Sequence, residues 1–121
     1  MHQAARAYGA VAKQVASPRE LEANVLLKAA AQLQAIRDTW DEKKHGLDDA
    51  LLYNRKIWTI FLTSVTDKDN PLPAEIRQNV ANLALFVFKH TIALIAEPRP
   101  EKLAVLININ RELAAGLLGR P

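Results

Sequence analysis

Residues 50–65 read ALLYNRKIWTIFLTSV, and their spacing decides what they form. Leu47, Leu51, Asn54, Trp58, Phe61 and Val65 follow one another at gaps of four, three, four, three and four. That period lays them along one face of a helix. Asn54 occupies a place on the stripe where leucine is expected. The stretch LININREL, residues 106–113, repeats the arrangement, with Asn110 between Leu106 and Leu113. In both places arginine follows, as Arg55 and Arg111.

An asparagine buried without a partner costs about 1–3 kcal/mol, so each of these must bond to something. We read them as register pins, as a lone asparagine acts on a coiled-coil seam. The next residue lies about 100° further round the helix, which carries Arg55 and Arg111 to the edge of the seam. An arginine placed there can grip a carboxylate or the carbonyls at a helix end. Both are therefore candidate partner-binding residues beside an apolar groove.

Outward from these stretches the rest of the chain also reads as helix. In ASPRELEANVLL, residues 16–27, Ser17 can cap, Pro18 sits in the first turn and Glu20 completes a capping box. Leu26, Ala29, Leu33, Ile36 and Trp40 continue at three-four spacing. DEKKHG ends this helix, and Gly46 is able to supply a left-handed turn there. The helix bearing Asn54 then runs from about Leu47 to about Thr66.

DKDNPLP, residues 67–73, is a turn by composition, and Pro73 with Glu75 opens a third helix. Its main stripe is Ile76, Val80, Leu83, Val87, His90 and Leu94; a second stripe, Leu85, Phe88, Ile92 and Ile95, faces elsewhere. A helix apolar nearly all round is surrounded by its own fold or covered by another chain. Phe86 and Phe88 point about 200° apart, so they bury together only if the helix is enclosed. Otherwise one of them belongs to an interface, and both are candidate partner-binding residues. EPRPEK stops this helix, and Pro100 starts a last one with Leu103, Leu106, Asn110, Leu113 and Leu117. Gly116 and Gly119 mark its fraying end.

Ala4, Tyr8, Val11 and Val15 allow a short N-terminal helix over residues 1–16, weakly driven because its face is mostly alanine. We expect it to dock loosely and to cover the groove until a partner arrives. No period-two alternation or Asn-Gly hairpin turn suggests a strand. The fold expected is all-α: one domain over residues 1–121, an antiparallel bundle of four long helices plus the short N-terminal one.

Composition narrows function mainly by exclusion. The 121 residues contain no cysteine, which removes disulfides, thiol catalysis and the common zinc sites. The net charge of +3 is scattered rather than gathered on one face, so direct RNA binding is not expected. Glu42 and His45 make a single Glu-x-x-His, where a di-iron bundle needs two with further glutamates. Four glycines build no phosphate loop, and no nucleophile-base constellation stands out. His90 is read as a hydrogen-bonded core or rim histidine, and Trp58 and Phe61 as core. No leader is expected at the start, and LALFVFKHTIALIA, residues 83–96, is too short and too interrupted to span a bilayer. These readings describe a cytoplasmic binding module, not an enzyme, with no cofactor and no metal.

The blocks SPRELEANVLLKAAAQLQAIRDTW, YNRKIWTIFLTSVTDKDNPLP, IRQNVANLALFV and PEKLAVLININRELAAGL occur in this order over residues 17–118. Together they resemble the flagellar biosynthesis regulator FlaF family. The resemblance implies a small cytoplasmic helical protein that acts on flagellin production or export, alongside the translational regulator FlbT. It carries no catalytic residues to transfer. A flagellin-binding chaperone fits the spare apolar surface, since flagellin's terminal helices are amphipathic and can enter a groove. The alternative is post-transcriptional regulation of flagellin messenger RNA, directly or with FlbT. Weak self-association is a further way to hide the apolar face.

Overall fold

The computed structural model describes residues 17–119, and every regular element among them is helical. The four long helices are α1 (Pro18–Asp38), α2 (Leu47–Thr66), α3 (Ala74–Ala96) and α4 (Leu103–Leu117). The expected N-terminal helix of residues 1–16 lies outside the described residues.

Helix α1 starts as its sequence requires. The Glu20 backbone N–H donates to Ser17 Oγ at 3.1 Å, and Pro18 opens the first turn. The capping box is half made, because no return bond from the Glu20 carboxylate to the Ser17 backbone forms among the described residues. Leu26, Ala29, Leu33 and Ile36 are buried along the expected stripe. Trp40 departs from it. The helix breaks at Thr39, whose backbone leaves the helical region at φ −129° and ψ 50°, while its N–H and its hydroxyl both still donate to the Ala35 carbonyl, at 3.2 and 2.7 Å. Trp40 begins a separate helical turn, Trp40–Lys43, and packs half-buried against the core.

Gly46 does not use the left-handed freedom open to it; its φ is −89° and ψ 1°, within a 3-10 turn, Lys44–Gly46, that runs straight into α2.

On α2 the stripe read from the sequence is buried in full: Leu47, Leu51, Asn54, Trp58, Phe61 and Val65. On α4 Leu103, Leu106 and Asn110 are buried, joined by Ile107 and Ala114, while Leu113 and Leu117 stay half-buried. Helix α1 packs chiefly against α4, α2 chiefly against α3, and α1 also touches α2. One apolar cluster links all four. Trp58 lies at 0% exposure, edge-on to Phe61 with ring centroids 5.7 Å apart.

Helix α3 differs most from its sequence reading. Val80, Ala84, Val87, Thr91 and Leu94 are buried, but Ile76, placed on the main stripe, is 45% exposed in the first turn. His90 is half-buried at the rim, and its Nε2–H donates to the Lys102 carbonyl at 2.7 Å. The 23-residue helix is, by length and composition alone, long and apolar enough to cross a membrane. This corrects the expectation drawn from residues 83–96, since the helix begins nine residues earlier. Only 22% of its most apolar window is buried. Leu85, Ile92 and Ile95 are exposed, so the protein leaves an apolar surface where other helices of this length would be covered.

Candidate functional site

The two asparagines meet inside the core. Asn110 Nδ2 donates to Asn54 Oδ1 at 2.7 Å and to the Leu26 carbonyl at 3.3 Å. Asn110 Oδ1 accepts from Trp58 Nε1 at 2.9 Å. The indole offers only a donor and the carbonyl only an acceptor, so the orientation of the Asn110 amide is fixed by its partners. Asn54 must then present its oxygen, and its Nδ2 has no partner among the described residues. Both side chains are at 0% exposure. The network ties α1, α2 and α4 at one level, and its complete burial keeps it from any ligand at the surface. It serves the fold.

The open surface lies elsewhere, in a groove of about 600 Å³ between α2 and α3. Leu51, Leu52, Phe88, Ile92 and Ile95 make it apolar, and Asp48, Arg55 and Thr59 border it on α2. Thr91 also lines the groove, with its hydroxyl spent on the Val87 carbonyl at 2.6 Å. Ile92 is 69% exposed and Ile95 54%, well beyond what the core explains. Four-residue and three-residue steps along α3 bring Phe88, Ile92 and Ile95 to one side. Steps of four and three along α2 do the same for Asp48, Leu52, Arg55 and Thr59.

Of the four residues singled out in the sequence, Arg55 and Phe88 come together on this groove. Phe86 does not. It stacks on His90 with ring centroids 5.6 Å apart and planes 14° apart, beside the link from α3 to α4. There His90 holds Lys102, and Lys102 Nζ donates to the Glu97 carbonyl at 3.0 Å. Arg111 lies on α4, reaching Gln34 Oε1 of α1 at 3.5 Å, and is no part of the groove. The sequence reading missed Asp48, Leu52 and Thr59. Their period was visible on α2, but nothing in the sequence says that α3 runs beside them.

A second, smaller groove between α1 and α2 is bordered by Lys28, Gln32, Lys43 and Asp49. Lys28 Nζ sits 5.5 Å from the Tyr53 ring centroid there, a cation-π contact within the fold. Among the described residues no group of three histidine, cysteine or acidic side chains could hold a metal. One carboxyl is displaced from its ordinary behaviour: burial pushes Glu22 upward, with Arg19 pulling it partly back.

A family model described as flagellar protein FlaF matches residues 4–117, nearly the whole chain. No curated protein and no solved structure matches it.

Proposed function

The chain belongs to the flagellar protein FlaF family, and from that premise we propose that it is a non-catalytic, flagellin-binding chaperone of the cytoplasm. The observation that carries this reading is the α2–α3 groove, apolar along its length and bordered by Arg55 and Asp48. An amphipathic helix laid in such a groove buries its apolar stripe while its polar face stays in water. Flagellin's terminal helices have that character and assemble when left uncovered. Export needs them held apart, which a groove of this kind does without any chemistry.

In the same reading the four helices form an up-and-down antiparallel bundle, supported by their short connections and the cross-helix bonds of Asn110. Helix α3 stands at its margin, and this leaves the groove open. Direct regulation of flagellin messenger RNA has less behind it, because the net charge of +3 forms no patch beside the groove. An indirect action through FlbT needs no such patch.

Calorimetric titration of the protein with the isolated terminal helical segments of its own flagellin tests the reading. Micromolar or tighter binding with a negative heat-capacity change marks apolar burial on a client helix. Absence of binding to either terminus would overturn it.

A further inference from the structure

The groove's α2 border carries one acid and one base at a regular interval. Asp48 and Arg55 lie seven residues apart, two turns of helix, or about 10 Å along the axis. Leu52 stands between them on the same side and is 43% exposed. Among the described residues neither the Asp48 carboxylate nor the Arg55 guanidinium makes an ion pair or a side-chain hydrogen bond. Two opposite charges flanking an exposed leucine form a pattern complementary to itself when reversed.

We propose that a second copy of this chain occupies the groove when no client is bound, with the two α2 helices crossing antiparallel about a two-fold axis beside Leu52, midway between Leu51 and Leu52. An isologous contact requires that if one residue meets another, the second copy returns the same contact. Reversing α2 about a point midway between Leu51 and Leu52 meets that requirement: Asp48 faces Arg55 of the second copy, and Arg55 faces its Asp48. Leu52 of each copy enters the other's groove beside Phe88, Ile92 and Ile95. Helices packed at the usual 8–10 Å separation hold such side chains within reach. The arrangement covers the apolar side of α3, which is exposed among the described residues. It depends on the groove and its charges, whatever the client.

Sedimentation equilibrium of the full chain across a concentration series tests this, with charge-reversed variants. The wild type is expected to pass from monomer to dimer with rising concentration. Asp48→Arg and Arg55→Asp each set like charges opposite one another and weaken the dimer at least tenfold. Mixed together, the two single variants regain both ion pairs and form a heterodimer that neither makes alone. The double variant Asp48→Arg/Arg55→Asp dimerises again. Circular dichroism confirms that each variant remains helical, and recovery in the mixture separates lost pairing from lost folding.

A wild type that stays monomeric at millimolar concentration overturns the proposal, as does a mixture that gives no heterodimer. A monomer that pellets with lipid vesicles overturns it too and assigns the apolar side of α3 to a membrane surface. A monomer that binds flagellin helices overturns the dimer and leaves the client reading intact. A charge-dependent dimer that ignores flagellin does the reverse.

Discussion

Asn110 donates to Asn54 across the core at 2.7 Å, joining α4 to α2 over 56 residues of sequence. The two ends of that bond are unequal. Among the described residues Asn110 serves Trp58, Leu26 and Asn54, whereas Asn54 serves only Asn110 and keeps an unpartnered Nδ2.

The inequality predicts different mutational costs. Asn110→Leu orphans the Trp58 indole N–H and the Asn54 oxygen, at about 1–3 kcal/mol for each buried group. Asn54→Leu removes the unpartnered Nδ2 donor and leaves Asn110 bonded to Trp58 and Leu26. It should therefore destabilise much less. The double replacement should be less damaging than Asn110→Leu alone, since it also removes the stranded Asn54 amide. Urea unfolding of the three variants measures the order.

Gly46→Ala should stabilise the protein by about 0.4–1 kcal/mol through the unfolded state. The backbone there is at negative φ, and an added methyl would meet nothing within 4 Å. A fall in the urea midpoint would show that the left-handed turn read from the sequence forms after all.

Groove and fold should separate by mutation. Ile92 is 69% exposed, so Ile92→Glu should shift stability by less than about 0.5 kcal/mol. The same change places a carboxylate in the apolar channel and should weaken client-helix binding at least tenfold. Phe86→Ala removes a stack on His90 outside the groove and should leave client affinity unchanged. Phe88→Ala should lower it. Calorimetry on the three variants distinguishes a docking groove from a merely exposed helix.

Glu22 gives a pH signature of definite sign. Burial raises its carboxyl above the ordinary glutamate value, so the folded protein holds that proton more tightly than the unfolded chain does. Stability contributed by this group is therefore lost as pH rises from the ordinary value to the raised one, and regained as pH falls through that window. Glu22→Gln should melt higher than the parent at neutral pH, with the gap closing in acid. A gap independent of pH would point to packing instead.

The helices were legible because each has a strong local signal. Ser17 and Pro18 start α1, and the three-four spacing on α2 predicts the burial of all six residues from Leu47 to Val65. The family was legible too, in blocks spread over residues 17–118, and the family match over residues 4–117 agrees. Where local signals competed, the reading failed. Trp40 fits the α1 stripe, but the backbone leaves the helical region at Thr39 and ends the helix before it. Gly46 permits a left-handed turn without requiring one.

The sequence by itself determined an all-helical protein with two asparagines on buried stripes, because amphipathic period and capping depend on residues within a few positions of each other. Only the tertiary structure decided that the asparagines bond to one another. It also decided that Arg55 and Phe88 share a groove while Arg111 and Phe86 do not. Those relations depend on which helix lies beside which and at what rotation. That choice is set by the packing of the whole core, in which Trp58, Leu26 and Asn110 must all find their partners at once.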